Sequence, residues 1–237
     1  MKMQPLALGI LLGGATMHGA HAQLKERTVL LSGSVGYSSG KIDGSTQSVP
    51  TVPSLPNSSS GRSLQLSPQV GFFIADNLAM GLNAAIGSGK NTSFQQVYTG
   101  TGAVETFTNK EISKQFSFGP FARYYHLVGE KAGFFGQLAG GYQRASGDFS
   151  SSAPFTASRV TKSTGGYVNV MPGFVYFATA KLGLELTLGS LAYTKATTTT
   201  KAEDPTRSEL KSTSSSFAAN FGLRNLSLGA SFHLGGN

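Results

Sequence analysis

Apolar residues alternate one by one with small or polar residues along most of the chain. In one segment the alternating apolar positions are Leu64, Leu66, Pro68, Val70, Phe72 and Ile74. Successive side chains of an extended strand point to opposite faces, so a period of two predicts β-strands with two unlike faces. The pattern is clear at 63–74, 78–88, 116–125 and 182–188, and weaker at about 28–39, 134–146, 164–177 and 214–234. The sequence therefore predicts an all-β fold of eight strands.

Short and long connections alternate strictly between these segments. The short ones are at 75–77, 128–132 and 178–181. The long ones, rich in Ser, Thr, Gly, Asn and Pro, are at about 40–62, 88–112, 147–163 and 195–213. This order predicts an antiparallel up-and-down meander with all the long loops at one end. Eight such strands with one apolar face are expected to close into a barrel, which leaves no open edge.

Two kinds of irregularity are expected within the strands. The phase of the alternation slips near Arg224 and Asn225, as a β-bulge would cause. Pro68, Pro120 and Pro172 lie inside strands. Because proline cannot donate a hydrogen bond to a ladder, these positions predict bulges or irregular pairing.

Residues 1–22 are predicted to be a secretory signal peptide. Lys2 gives a positively charged start, an apolar run follows, and Ala20-His21-Ala22 has the small-x-small pattern of a cleavage site. The apolar run is shorter than the roughly 20 residues that a membrane-spanning helix needs. We therefore expect an exported chain in which residues 23–237 form one β-barrel domain.

The polar face of the strands almost lacks charge. Only 13% of all residues are charged and 31 are glycine, whereas about 25% are charged in a typical soluble domain. A soluble barrel shows its polar face to water and carries many charges there. Small uncharged residues instead suit a narrow lumen, and large apolar residues suit lipid contact. The sequence therefore predicts an eight-stranded antiparallel up-and-down transmembrane β-barrel, with a soluble lipocalin-like ligand-binding barrel as the less favoured alternative.

Arg123 and Glu185 are the clear charged exceptions in the strand centres. Each lies on the polar face about four residues from a short connection, so both are expected at a similar depth. A charge inside a membrane span faces the interior and finds a partner. We predict a lumen ion pair between them, with Gln137, Tyr125 and Asn169 as hydrogen-bonding neighbours. The pair is interpreted as a structural plug, with a gate or proton path as the less favoured alternative.

Cationic side chains are concentrated in the half of the chain that carries the long connections. They are Lys41, Arg62, Lys90, Lys110, Lys114, Arg144, Arg159, Lys162, Lys195, Lys201, Arg207 and Lys211. A cationic rim facing the outer leaflet would attract the phosphates of lipopolysaccharide, and ordinary solvated loops are the alternative explanation. No nucleic-acid partner is expected for an exported chain without an aromatic–basic motif.

The sequence carries no strong motif for catalysis or cofactor binding. Gly87-Ser88-Gly89-Lys90 is similar to part of a phosphate loop, but the earlier Gly and the following Ser or Thr are missing. His126 and His233 fall near the rim formed by the short connections, where interfacial side chains are expected, and the chain has no Cys. We therefore predict no enzymatic activity, no cofactor and no metal site.

Several strand and turn sequences resemble a known family. They are Leu66-Ser67-Pro68-Gln69-Val70-Gly71-Phe72-Phe73, Asp76-Asn77-Leu78-Ala79-Met80-Gly81-Leu82, Phe118-Gly119-Pro120-Phe121-Ala122-Arg123-Tyr124-Tyr125, Leu182-Gly183-Leu184-Glu185 and Leu226-Ser227-Leu228-Gly229-Ala230-Ser231-Phe232. From about residue 29 onward the chain resembles the small outer-membrane β-barrel proteins of Bacteroidetes-type Gram-negative bacteria (porin family), within the outer-membrane protein A/X-like group. The resemblance implies an outer-membrane location and contact with outer-membrane lipid and with the barrel assembly machinery. We expect a monomer.

A barrel of this size predicts a limited set of functions. Eight strands leave an interior just filled by side chains, so a wide diffusion pore is not expected. We expect a structural or interaction role: envelope integrity, adhesion, or lipopolysaccharide contact through the surface loops. The alternative is a narrow porin-like channel for ions or small solutes.

Overall fold

A computed structural model describes the fold over residues 24–46, 54–98, 103–154, 156–202, 209–222 and 226–235. The predicted signal peptide and the phase slip at 224–225 lie outside these residues. Within the described residues there are ten strands. They are β1 (Val29–Thr46), β2 (Leu55–Ala75), β3 (Leu78–Tyr98), β4 (Val104–Val128), β5 (Ala132–Ser151), β6 (Arg159–Phe177), β7 (Leu182–Thr187), β8 (Gly189–Ala202), β9 (Leu210–Phe221) and β10 (Ser227–Leu234). In the part of the chain so described, no helix is long and apolar enough to cross a membrane.

The strands form one antiparallel sheet that closes on itself. The order is β5-β4-β3-β2-β1-β10-β7-β6, and β5 also pairs with β6, so eight strands complete a ring. β8 continues the path of β7 after a break at Leu188 and pairs with β6 and β9. β9 and β10 likewise follow one another along the last part of the chain. The prediction of an all-β antiparallel fold is confirmed, and two of its eight strands are split into two segments.

The prediction of four long loops is corrected, because much of each predicted loop is strand in the structure. β1 runs to Thr46 and β2 starts at Leu55, although loop was predicted over 40–62. The other predicted loops are also partly strand: β4 includes 104–112, β6 includes 159–163 and β8 includes 195–202. The binary pattern fades there because Ser, Thr and Asn occupy both faces, while backbone pairing continues. Hydroxyl pairs such as Thr194 with Ser216 at 2.7 Å join these strand extensions.

The ring has an apolar outer face and a polar inner face. Large apolar side chains are exposed along the outward register of every strand, among them Leu66, Met80, Phe118, Leu138 and Val170. The buried apolar cluster instead lies inside the ring near the short turns. It consists of Leu24, Leu30, Phe73, Ala79, Phe121, Tyr125, Phe135, Ala139, Val175 and Phe177.

Each of the three strand prolines lies beside an interruption in one of the ladders. Between β2 and β3 the register passes from Leu66 to Gln69 and skips Pro68. Between β4 and β5 it passes from Phe118 to Phe121 and skips Pro120. Pro172 lies at the break between β7 and β8, where its carbonyl accepts a hydrogen bond from the Leu188 amide. These interruptions agree with the irregular pairing predicted at the three prolines.

Candidate functional site

A cluster centred on Arg123 crosses the inside of the ring near the short turns. Arg123, on β4, is 3% exposed, and Glu185, on β7, is 7% exposed. Nη1 of Arg123 donates to Oε1 of Glu185 at 2.7 Å and to the hydroxyl of Tyr125 at 2.9 Å. Nε donates to Oε1 of Gln137 at 2.7 Å, and Nη2 donates to Oε1 of Gln69 at 2.9 Å. One guanidinium therefore joins side chains from β2, β4, β5 and β7.

Aromatic rings close the space beneath the guanidinium. Cζ of Arg123 lies 4.5 Å from the centroid of the Phe135 ring, within the range of a cation–π contact. His233 packs below, with ring centroids 5.9 Å from Phe73 and 5.4 Å from Phe177. Arg123 and this aromatic floor together fill the end of the lumen that is nearest the short turns.

The structure brings four of the five predicted lumen residues together. Arg123, Glu185, Gln137 and Tyr125 form the cluster, whereas Asn169 is not bonded to Arg123, and its Oδ1 is buried with no hydrogen-bond partner among the described residues. Gln69 is the partner that sequence reasoning missed. Its polar-face position on β2, about as far from a short turn as Arg123, was the signal that could have identified it.

The position of His233 corrects the expectation of a histidine at the interface. The side chain is 2% exposed, and neither ring nitrogen has a hydrogen-bond partner among the described residues. Phe232 beside it is exposed on the outer face, and alternation therefore turns His233 inward. The same alternation divides each aromatic pair of the short-turn end, so that Tyr124 faces out and Tyr125 faces in.

A polar cavity of about 470 Å³ lies above the Arg123 cluster, toward the long strand extensions. Its wall is rich in side-chain amides and hydroxyls. The amides that border it are Gln65, Gln69, Asn83, Gln115, Gln137, Gln143 and Asn169. The interior is therefore closed at the short-turn end and hollow above it, and side chains do not fill the whole lumen as the strand count had suggested.

A second candidate site is a belt of cations on the outer face, which we call the cationic belt. Its members stand in the outward register of their strands, just beyond the apolar part of the wall: Lys41 on β1, Arg62 on β2, Lys90 on β3, Lys114 on β4, Arg144 on β5, Lys162 on β6, Lys195 on β8 and Lys211 on β9. The predicted cationic rim is thus carried by paired strands and not by loops.

The belt places like charges next to one another. Arg62 lies directly opposite Lys90 in the β2–β3 ladder. Lys90 lies opposite Ile112, so Lys114 is its diagonal neighbour on the same face. Facing like charges destabilise a sheet unless an anion compensates them. Lys41 differs, since its Nζ lies 3.0 Å from Asp43.

None of the other four predicted rim cations is assigned to the belt. Cζ of Arg159 lies 4.3 Å from the centroid of the Phe149 ring, and Nζ of Lys201 lies 2.7 Å from Glu209. Lys110 is outward on β4, further from the short turns than Lys114. Arg207 lies outside the described residues. Within the described ranges, no group of three or more His, Asp or Glu side chains could hold a metal ion.

Comparisons with known proteins add a likeness to a solved structure. No protein-family model and no curated relative matches the sequence. The chain is similar to the outer membrane protease OmpT from Escherichia coli, with a TM-score of 0.37 and 9% sequence identity, over 87% of this chain and 94% of that one. At this TM-score the likeness carries no argument about substrate, partner or catalytic residues.

This comparison corrects one sequence-based prediction. The similar structure is that of a protease, so the prediction that the chain is not an enzyme is withdrawn. No activity is inferred in its place.

Proposed function

We propose that the protein is an integral outer-membrane β-barrel with an interaction role, in which the cationic belt binds the phosphate groups of lipopolysaccharide. The proposal retains the resemblance to the small outer-membrane barrel family and the predicted export. It moves the contact with lipid from surface loops to the strands themselves. The observation that carries it is the presence of at least one outward cation on each of the eight strand paths around the ring.

The outer face supports the membrane part of this proposal. Monomeric soluble proteins rarely expose contiguous apolar patches above a few hundred Å². Here exposed apolar side chains continue around the whole ring, from Val70 on β2 to Val170 on β6. A transmembrane strand needs about 9–11 residues, and β4 has 25. We infer that the segment near the short turns lies in the bilayer and that the extensions stand outside the cell.

The position of the belt supports the lipid part. In the outward register, Arg62 precedes the exposed Leu64, Lys114 precedes the exposed Phe116, and Arg144 follows the exposed Tyr142. Cations at the boundary between an apolar wall and water meet lipid head groups, where anionic lipids attract them. A phosphate between Arg62 and Lys90 would compensate their repulsion with charge-assisted hydrogen bonds.

The cluster at Arg123 favours a closed barrel over the narrow-channel alternative. A guanidinium with four hydrogen-bonding partners fills the cross-section above an aromatic floor. We infer that ions and solutes do not pass through the resting barrel. Planar-bilayer recordings should therefore show no steady conductance for the wild-type protein, and a steady open pore would favour the channel.

The test of the proposed function compares two triple variants in which three lysines become serine. K90S/K114S/K162S removes belt cations, and K25S/K131S/K181S removes the same charge near the short turns. Both are reconstituted in phosphatidylcholine vesicles with and without lipopolysaccharide, and bound lipopolysaccharide is measured after flotation. We expect the belt variant to retain at least tenfold less lipopolysaccharide than the control variant, and an excess of inorganic phosphate not to displace the lipid. Equal retention by the two variants contradicts the proposed function.

A further inference from the structure

Between the first and the last strand of the ring, β1 and β10, ladder hydrogen bonds are present only near the short turns. β1 pairs with β10 from Val29 opposite Leu234 to Ser34 opposite Gly229. Beyond Ser34, the described part of β1 pairs only with β2. In the described residues β9 pairs only with β8. Among the described residues, therefore, no ladder joins the upper part of β1 to β9, and we call this unpaired gap the seam.

The seam lies at the level of the outer leaflet. A bilayer takes about 9–11 residues of each strand, counted from the short-turn end at Val29. The six pairs between β1 and β10 end about halfway through that span. Unpaired backbone donors and acceptors are costly in hydrocarbon, so the polar linkage between the head and the chain of an amphiphile would be favoured at the lower end of these two edges.

Side chains beside the seam are more exposed than those on the closed wall. Val35 is 67% exposed and Leu228 is 73% exposed, whereas Phe116 and Phe118 on β4 are 43% and 46% exposed. Each seam residue lacks a neighbouring strand on one side. The outer border of the seam is thus apolar, as the chain of a lipid requires.

The polar cavity reaches the lower end of the seam. Ser34, Gly229 and Ser227, which border the seam at its lower end, also border the cavity. A path from the lumen outward therefore passes first the polar cavity, then the unpaired backbone edges of the seam, and finally the apolar outer border of the seam.

Two buried amide atoms in the cavity have no hydrogen-bond partner among the described residues. They are the donor Nε2 of Gln137, a residue 1% exposed, and the acceptor Oδ1 of Asn169. In the β5–β6 ladder Gln137 faces Met171 and Ala139 faces Asn169, so the two amides are diagonal neighbours on the inner face. A hydroxyl group both accepts and donates a hydrogen bond, so a hydroxyl-bearing ligand satisfies both amides when their side chains turn toward the cavity that the two residues border.

The charges at the cavity favour a neutral ligand. Arg123 and Glu185 at its floor are paired with each other. Arg144 also borders the cavity, but it stands in the outward register beside Tyr142 and its side chain is exposed. A volume of about 470 Å³ is within the range of small-molecule sites.

We propose that the cavity binds the neutral, hydroxyl-rich carbohydrate head of an amphiphile, whose apolar chain leaves through the seam into the outer leaflet. The ligand is thus a glycolipid-like molecule. The proposal rests on the proposed membrane insertion. It does not require the cationic belt, whose members stand in the outward register, although Arg144 also borders the cavity.

The probes are dodecyl maltoside, which has a neutral disaccharide head and an apolar chain, maltose, which has the head alone, and lauryldimethylamine oxide, which has the chain and a small head. Full-length mature protein is placed in phosphatidylcholine nanodiscs, and binding above that of empty nanodiscs is measured by equilibrium dialysis. We expect saturable binding of dodecyl maltoside that is at least tenfold tighter than that of either other probe. Equal binding of lauryldimethylamine oxide would show a site for chains only and overturn the proposal.

Two sets of variants separate the head site from the seam. N169L is expected to weaken binding of dodecyl maltoside at least tenfold, whereas N109L, the same change on β4 away from both the cavity and the seam, leaves it unchanged. The pair V35C/L228C occupies the rung that would follow Ser34 and Gly229, and the chain has no other Cys. Oxidation of this pair should weaken binding of dodecyl maltoside but not of maltose, and reduction should restore it.

The outcomes distinguish this inference from the proposed function. Vesicle flotation is done first on the same protein. A protein that does not float with lipid contradicts the proposed function and this inference together. A protein that floats but binds no probe saturably, or that binds equally well as N169L, contradicts the inference alone.

Discussion

Nη1 of Arg123 on β4 lies 2.7 Å from Oε1 of Glu185 on β7, although β5 and β6 stand between these strands around the ring. Ladder hydrogen bonds join only neighbouring strands. This ion pair therefore braces the ring across its lumen, and both partners are buried. Breaking a buried pair by removing one partner is strongly destabilising, because the other charge is left uncompensated.

The first prediction concerns this pair. Arg123→Met leaves the Glu185 carboxylate buried without its cation, so we expect the free energy of unfolding to fall by about 3–5 kcal/mol. Glu185→Met should cost a similar amount. The double variant R123M/E185M should lose less than the sum of the two, because no buried charge remains. Urea unfolding in phosphatidylcholine vesicles measures all three, and additive losses would contradict the coupling.

The second prediction concerns the facing cations of the belt. Lys90→Ser removes the charge opposite Arg62. In vesicles of phosphatidylcholine alone, this should raise the free energy of unfolding by about 0.2–1 kcal/mol, because a like-charge pair is relieved. In vesicles that contain lipopolysaccharide the same change should lower it, because a phosphate contact is lost. Lys131→Ser at a short turn is the control, and the same sign for Lys90→Ser in both membranes would disagree with the proposed lipid contact.

The third prediction concerns the histidine in the aromatic floor. His233 is buried between Phe73 and Phe177, and neither of its ring nitrogens has a hydrogen-bond partner among the described residues. A buried polar group without a partner costs about 1–3 kcal/mol. His233→Phe should therefore stabilise the barrel by about that amount in urea unfolding, whereas His126→Phe, on the exposed face, should change little. A destabilised H233F variant would mean that the histidine has a polar partner in the membrane.

The fourth prediction concerns the junction of β7 and β8. Gly189 has a φ of +115°, and a Cβ at this position would clash with the Asn220 carbonyl on β9. Gly189→Ala should therefore lower the free energy of unfolding by about 1–3 kcal/mol. Gly136, also in a strand, has open space where a Cβ would stand, so Gly136→Ala is the matched control. Equal effects of the two changes would exclude this backbone constraint.

The sequence predicts the half of the fold near the short turns better than the other half. Between Leu64 and Phe72 the outer face is apolar and the inner face is polar, so alternation is strong and the strands can be recognised. Beyond Arg62 or Lys114 both faces are mostly polar, and Ser and Thr satisfy either face. Period-two alternation then carries no information, although the ladder continues, for example from Arg62 to Asn57 in β2.

The lumen cluster was predictable only in part. Arg123 and Glu185 are charges in apolar strands, so their need for a partner follows from the sequence. The hydrogen bond from Arg123 to Gln69 and the absence of one to Asn169 depend on the stagger of the strands, which only the closed ring determines. The seam could not be predicted, because it depends on where pairing between the first and last strands stops.

The most direct test of the account is the depth of β4 in a bilayer, measured by electron paramagnetic resonance on single spin labels in phosphatidylcholine vesicles. The chain has no Cys, so a cysteine can be introduced at one position at a time. We predict that labels at Phe116, Phe118 and Ala122 are accessible to oxygen and protected from an aqueous nickel chelate. Labels at Lys110 and Lys114 should be accessible to the chelate. Access of the chelate to Phe116, Phe118 and Ala122 equal to that at Lys110 would contradict a membrane-spanning barrel.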